Sequence, residues 1–103
     1  MKKRIVLQLD TVTFAKALAD ETRQKIMALC CCQQKSVSEL VEATGVAQPT
    51  VSHHLKILKD AGLVSAERRG KEVFYTLNQT RLADACCHVA ENFAPEVTVK
   101  IEL

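Results

Sequence analysis

Apolar residues recur at helical spacing through the first sixty residues of the chain. Recurrence every three or four positions is the pattern of amphipathic helices, and it predicts helices over about 12–19, 20–30, 36–44 and 48–61. The apolar positions that define their buried faces are Phe14, Ala17, Leu18, Ile26, Leu29, Cys30, Leu40, Val41, Val51, Leu55 and Leu58. Only a short turn separates the third helix from the fourth, which is the helix-turn-helix arrangement.

Polar residues and glycines mark where these helices begin and end. Ser36 and Glu39 have the spacing of a capping box, in which each side chain accepts from the other residue's backbone amide. Gly45 suits a left-handed position after the third helix, and Pro49 suits the first turn of the fourth, where its missing N–H costs nothing. Since Gly62 ends the fourth helix, the helix-turn-helix is predicted over about 36–62.

The apolar period changes after the fourth helix. Residues 63–67 and 72–77 are rich in β-forming residues, and the segment between them has Gly70 at the bend of a predicted hairpin. A last helix is predicted over about 80–93. The order α-α-α-α-β-β-α predicts a single domain over 1–103, mainly α with a small β-hairpin, folded as a winged helix-turn-helix whose wing is about 63–77.

Composition adds the expectation of a small aliphatic core and a local basic charge. The chain has 103 residues, 4% of them aromatic, and no Trp, so a second subunit is expected to help complete the core. The net charge of +2 lies within residues 47–75, which carry five basic and three acidic residues. A basic excess in one segment is a feature of surfaces that bind phosphate, and here the excess is only two charges.

The apolar runs and the cysteines predict the compartment. The N-terminal run is too short for a signal peptide and no later run could span a bilayer, which predicts a cytoplasmic protein with no membrane partner. In a reducing cytoplasm the five cysteines are not expected to form structural disulfides. They indicate packing, metal binding or sensing.

The fourth helix is predicted to present a polar face that suits DNA. Gln48 and Ser52 are expected at or near base edges, and His53 and Lys56 at phosphates or the groove wall. Basic residues at the hairpin are expected to reach phosphates or the minor groove. The predicted DNA-binding residues are Gln48, Pro49, Thr50, Ser52, His53, Lys56, Arg68, Arg69 and Lys71. The alternative is an ordinary solvated helix followed by a charged turn.

Four segments of the chain together resemble the ArsR/SmtB family. They are Leu18-Ala19-Asp20-Glu21-Thr22-Arg23, Ser38-Glu39-Leu40, the run from Ala47 to Val64 that includes Pro49-Thr50-Val51-Ser52-His53-His54-Leu55, and Arg69-Gly70-Lys71-Glu72-Val73-Phe74-Tyr75. The resemblance implies a homodimeric winged-helix repressor, joined through its first and last helices, that binds double-stranded operator DNA and leaves it when an inducer binds. One departure is Ala47, where many relatives have a Ser that caps the recognition helix.

Two inducer sites implied by that resemblance have no matching ligands in this chain. The arsenic- and cadmium-type site uses Cys-x-Cys where this chain has Ser36-Val37-Ser38. The zinc-type site uses Asp, His and Glu on the last helix, where this chain has Asn78-Gln79-Thr80-Arg81 and then Asn92. His54 is expected to pack and not to bind a metal.

The cysteines are then the candidate inducer site, and two chemistries compete for them. The candidate thiols are Cys30, Cys31, Cys32, Cys86 and Cys87. Cys30 and Cys86 fall on buried stripes and fit simple packing. In one hypothesis As(III) or Sb(III) binds Cys31 and Cys32 with one thiolate from the last helix, and no cofactor is needed for DNA binding. In the other, an oxidant or reactive sulfur species joins neighbouring thiols, whose pKa Lys25 and Lys35 would lower.

Three other functions are weighed against an inducible repressor. An enzyme is disfavoured, because a cysteine nucleophile needs a base and His88 next to Cys87 diverges from it on a helix. A winged helix used for protein partnering or nonspecific nucleoid binding would show little preference for one DNA sequence. A repressor with purely structural cysteines would keep its response after all five are replaced.

Overall fold

The computed structural model describes residues 10–97. The basic N-terminal start and residues 98–103 lie outside the described residues, so the sequence-based expectations for them are not addressed. Within this range there are five helices and three strands: α1 Thr11–Leu18, α2 Glu21–Cys30, β1 Lys35–Ser36, α3 Val37–Thr44, α4 Gln48–Asp60, β2 Val64–Arg69, β3 Glu72–Leu77 and α5 Gln79–Phe93. The predicted fold, a mainly helical winged helix-turn-helix, is confirmed.

The helix ends follow the capping residues that the sequence contains. Asp20 caps α2 by accepting from the Arg23 amide, and Ser36 and Glu39 form the predicted capping box at α3. Gly45 ends α3 with φ of 73°, in the left-handed region where only glycine carries no steric cost. The N-cap of α4 is Ala47, and no side chain caps that helix.

The sheet has one strand more than the sequence predicts. Its order is β1-β3-β2, and both pairs are antiparallel. The strand β1 has two residues, with Lys35 opposite Tyr75 and Ser36 opposite Phe74. Two residues cannot show a period, so β1 is not visible in the hydrophobic pattern. It fixes the hairpin to the connection between α2 and α3.

The core lies between α2, α3, α4 and the base of the hairpin. Its fully buried side chains are Ile26, Cys30, Leu40, Val51, Leu55, Leu58 and Leu63. The helix α5 contributes little to it, because Ala85 is the one buried residue among its 15. Phe93 on α5 is 73% exposed and Val12 on α1 is 61% exposed. No helix within residues 10–97 is long and apolar enough to cross a lipid bilayer.

Candidate nucleic-acid interface and thiol cluster

The helix α4 has one buried face and one fully solvated face. Val51, Leu55 and Leu58 are buried, as the sequence predicts. The predicted DNA-contacting residues of this helix all lie on the exposed face: Gln48, Pro49, Thr50, Ser52, His53 and Lys56. The Lys56 ammonium pairs with Asp60 at 3.1 Å, and both side chains are mostly exposed. A phosphate can replace Asp60 at little cost, since an exposed ion pair stabilises a helix only slightly.

His54 is buried, as the sequence predicts, and its ring connects α4 to α2. It is 9% exposed, and its Nδ1 lies 3.1 Å from Nη1 of Arg23. A guanidinium only donates, so Nδ1 accepts and the ring proton lies on Nε2, which is 3.9 Å from Asp20. Arg23 also donates to the carbonyl oxygens of Ala17 and Lys16 at the end of α1. One side chain thus joins three helices.

The three basic residues of the hairpin are not equivalent. Arg68 donates to the Gly70 carbonyl at 3.2 Å and lies at the turn with Lys71. Arg69 is held by three neighbouring side chains. Its guanidinium donates to Gln34, lies 3.4 Å from the Glu67 carboxylate and is 4.9 Å from the centre of the Phe74 ring. Arg68 and Lys71 are therefore the more available cations.

The hydrogen bonds around Glu67 fix the position of Arg69. Gln34 donates to Oε1 of Glu67 at 3.0 Å, while its own Oε1 accepts from Arg69. The bond from Gln34, followed by the bond and the charge of Arg69, lowers the pKa of Glu67 below its ordinary value. The carboxylate is therefore ionised near neutral pH and keeps the guanidinium on the outer face of β2.

A groove of about 200 Å³ lies between the hairpin and the starts of α3 and α4. It is lined by Ser36 at the N-cap of α3, by Ser38 of α3, by Gln48 of α4, and by Lys71 and Glu72 at the turn and the start of β3. Helix starts carry partial positive charge and unpaired amides. The exposed face of α4 and the hairpin tip thus flank one groove that has polar side chains on both sides.

The first cysteine group divides into one core residue and one pair nearer the surface. Cys30 is fully buried, and burial raises the pKa of its thiol to about 11 although Lys35 acts in the opposite direction. Cys31 is half-buried and Cys32 is exposed, and their Sγ atoms are 3.0 Å apart. Their hydrogen bond raises the pKa of Cys31. Lys35 thus lowers the pKa of Cys30 as expected, but burial outweighs it, and no lysine offsets the rise at Cys31.

The second cysteine group lies on α5, and its burial differs from the prediction. Cys86 is exposed and Cys87 is half-buried, so Cys86 does not pack into the core of a single chain as expected. The Leu82, Cys86 and Val89 face of α5 is incompletely covered. Among residues 10–97 of one chain, no three Cys, His, Asp or Glu side chains converge as a metal site would require. One chain brings two thiols together and not three.

Two glutamines near the thiols make contacts that the sequence pattern does not predict. Gln79, the first residue of α5, donates to the Cys31 carbonyl oxygen at 2.7 Å. Gln34 links the end of the cysteine loop to the hairpin, 33 residues from Glu67 in sequence. No local pattern signals either contact, because each joins segments that are distant along the chain.

Comparison with known proteins shows which family this chain resembles. The profile described as bacterial regulatory protein, arsR family, matches residues 20–66. The chain is 42% identical over 88 residues to a probable mercury resistance operon repressor of Streptomyces lividans, covering 82% of this chain and 70% of that protein. It is 38% identical over 72 residues to an arsenical resistance operon repressor of Staphylococcus aureus, covering 70% and 69%.

The fold comparison agrees with the sequence comparison. The solved structure of an ArsR-like transcriptional regulator from Rhodococcus sp. RHA1 superimposes with a TM-score of 0.74 at 27% identity, covering 84% of this chain and 80% of that one. The exposed face of α4 and the hairpin beside it are the parts that a winged helix-turn-helix uses on DNA. The chain therefore belongs to the ArsR family of bacterial regulatory proteins and is a DNA-binding transcriptional repressor, not an enzyme.

Proposed function

We propose that this repressor acts as a homodimer and leaves its operator when a thiophilic metalloid, As(III) or Sb(III), bridges Cys31 and Cys32. The observation that carries the proposal is the 3.0 Å separation of the two Sγ atoms just after α2. Two soft sulfur donors at that position, outside the core, suit a soft ion. The relatives named for mercury and arsenical resistance support a metal or metalloid inducer as a class.

The operator contacts in this proposal follow from the exposed face of α4. Gln48 and Ser52 lie in the first two turns and read base edges, since recognition helices enter the major groove by their N-terminal residues. Thr50, His53 and Lys56 contact the backbone beside them, while Pro49 fixes the first turn. Arg68 and Lys71 reach phosphates from the hairpin, and Arg69 does so while still held by Gln34.

The dimer in this proposal forms through α1 and α5. These helices pack on each other, and Asn92 of α5 is 3.5 Å from Thr11 of α1. Their exposed Val12 and Phe93 give the pair an apolar surface that a second copy can cover. The same helix α5 carries Cys86 and Cys87, and in this proposal one of them supplies the third thiolate.

Binding of arsenous acid to the thiols is a ligand exchange that needs no oxidant or reductant. Arsenous acid, As(OH)₃, exchanges each hydroxide for a thiol: one As–O bond breaks, one As–S bond forms, and the thiol proton leaves in water. The raised pKa of Cys31 keeps its thiol protonated near neutral pH, and each thiol that exchanges releases one water with no net proton. A divalent cation such as Hg²⁺ would instead displace protons into solution.

A redox response is a second candidate that the same sulfur separation favours. Peroxide oxidises one thiol to a sulfenic acid and is reduced to water; the neighbouring thiol then displaces a second water to form the disulfide. Both routes join Cys31 to Cys32. They differ in the product, because oxidation removes two hydrogens from the chain while arsenite adds arsenic.

The test is a titration of the anaerobic, fully reduced protein with arsenite, read by the ultraviolet absorption of As–S bonds and by native mass. We expect one arsenic per chain, no net proton uptake or release in buffers of different ionisation enthalpy, and loss of binding in Cys31→Ser/Cys32→Ser. Ser65→Ala, at an exposed position of β2 that carries no thiol, is the control and should bind arsenic as the wild type does. Arsenic binding that survives the double substitution would refute this site.

A further inference from the structure

The loop that carries the Cys31–Cys32 pair is held at both ends by glutamine side chains. This thiol loop, residues 31–34, runs from the end of α2 to β1. At its start the Cys31 carbonyl accepts from Gln79 at 2.7 Å. At its end Gln34 donates to Glu67 at 3.0 Å and accepts from Arg69. The loop is therefore tied to α5 on one side and to the hairpin on the other.

Gln34 contacts the hairpin through both ends of its amide. Its NH₂ group bonds an ionised carboxylate and its oxygen bonds a guanidinium, and hydrogen bonds to charged groups are stronger than neutral ones. The next residue along, Lys35, pairs with Tyr75 in β3. The last residue of the thiol loop and the first residue of β1 thus position both strands of the hairpin.

We propose that Gln34 is a positioning residue that transmits the state of the Cys31–Cys32 pair to the hairpin, and so to its hold on operator DNA. The inference rests on the proposed function, because it needs a bridge between the two thiols. Only Gln33 separates Cys32 from Gln34, so a backbone change in the pair alters the direction in which the chain enters Gln34.

The consequence for DNA binding follows from the charges. In the reduced protein Gln34 shares the Glu67 carboxylate with Arg69 while the guanidinium stacks on Phe74, and the Arg69 side chain stays half-exposed and accessible to a phosphate. When bridging withdraws Gln34, Glu67 has Arg69 as its remaining partner and neutralises it. The hairpin then loses both a phosphate contact and its fixed position beside the groove.

The experiment compares operator affinity with and without arsenite in four proteins. Gln34→Ala removes the link, and Gln33→Ala, an exposed neighbour of the same residue type, is the matched control. In the combination Gln34→Glu with Glu67→Gln, the new amide at 67 donates to the new carboxylate at 34, which still accepts from Arg69. Both hydrogen bonds are restored and the net charge is unchanged. The readout is the ratio of dissociation constants with and without saturating arsenite, together with arsenic stoichiometry.

We expect a ratio of roughly 5 to 150 in the wild type and in Gln33→Ala, the usual range of allosteric coupling. In Gln34→Ala the reduced protein binds the operator more weakly and the ratio falls at least about threefold, while arsenic stoichiometry stays the same. The exchanged pair recovers the wild-type ratio. Hydrogen exchange at the backbone amides of residues 64–77 is measured without DNA. We expect arsenite to accelerate this exchange in the wild type, and we expect the exchange in Gln34→Ala to be fast already without arsenite.

Two results overturn the inference in different ways. If Gln34→Ala lowers affinity equally with and without arsenite, Gln34 has a structural role only and the inference alone fails. If arsenite binds and the wild-type ratio is one, the proposed inducer response fails and the inference fails with it. The wild-type ratio therefore separates the two failures.

Discussion

The guanidinium of Arg23 donates a hydrogen bond to Nδ1 of His54, joining the start of α2 to the middle of α4 across 3.1 Å. The Cys31–Cys32 pair follows the other end of α2, after Cys30. A rigid helix thus connects the proposed sensing residues to the recognition helix, in addition to the Gln34 link to the hairpin. Arg23 is central to this connection because it also bonds two carbonyl oxygens of α1.

Replacing Arg23 is expected to destabilise the fold and weaken operator binding. Arg23→Ala leaves the Ala17 carbonyl and the buried His54 ring without their donor and removes one of two donors to the Lys16 carbonyl, at a cost of about 2 kcal/mol or more. Arg23→Lys should recover only part of this, since one ammonium cannot match the planar fork. Urea unfolding measures the loss. Equal stability of the wild type and Arg23→Ala would contradict the role assigned to this side chain.

The uncapped start of α4 offers a stabilising change. Ala47 has the extended backbone of an N-cap, with φ of −60° and ψ of 148°, but no side-chain acceptor. Ala47→Ser is expected to raise the free energy of unfolding by about 1 kcal/mol. Ala43→Ser, an exposed position inside α3, is the control and should be neutral or slightly destabilising. An increase of the same size at Ala43 would show that capping is not the cause.

The five thiols are expected to react in a fixed order. Cys32 and Cys86 are exposed, whereas Cys30 is fully buried with its pKa raised to about 11. Because the thiolate is the nucleophile, iodoacetamide near neutral pH should alkylate Cys32 first and leave Cys30 unmodified until the protein unfolds, while Cys86 should react more slowly where a second subunit covers α5. Peptide mapping by mass spectrometry follows each site. Alkylation of Cys30 in the native protein would contradict the packing described here.

Asp20 is expected to make stability depend on acid pH. The Arg23 amide donates to its carboxylate at 3.0 Å and lowers the pKa of Asp20 below 3.8. A group whose pKa is lower in the folded state stabilises above its unfolded value and loses that contribution as pH falls through the folded value. Stability should thus decline more steeply below about pH 4 in the wild type than in Asp20→Asn, which keeps a neutral cap. Parallel stability curves would refute this.

Local features of the sequence were sufficient to predict most of the helix-turn-helix. The capping box of Ser36 and Glu39, the left-handed Gly45 and the buried stripe of α4 each depend on residues within one or two turns of one another. Such features are encoded in short segments and follow from spacing alone. The prediction that His54 packs is likewise confirmed by its burial on α4.

The sequence could not supply the contacts between distant segments. Gln34 and Arg69 meet across 35 residues, and β1 is too short to show a period. Cys86 lies at helical spacing with Leu82 and Val89, yet it is exposed in one chain. Periodicity identifies an apolar face, but it does not distinguish burial within the chain from burial against a second subunit.

The most direct measurement is fluorescence anisotropy of the reduced protein on the promoter DNA of its own gene, with and without arsenite under anaerobic conditions. The account predicts specific binding that weakens roughly 5- to 150-fold at about one arsenic per chain, and a Cys31→Ser/Cys32→Ser protein that binds equally well but does not respond. Release by peroxide alone, reversed by dithiothreitol, would assign the pair to redox sensing. Full release by arsenite from the double variant would contradict the central claim that this thiol pair controls the operator.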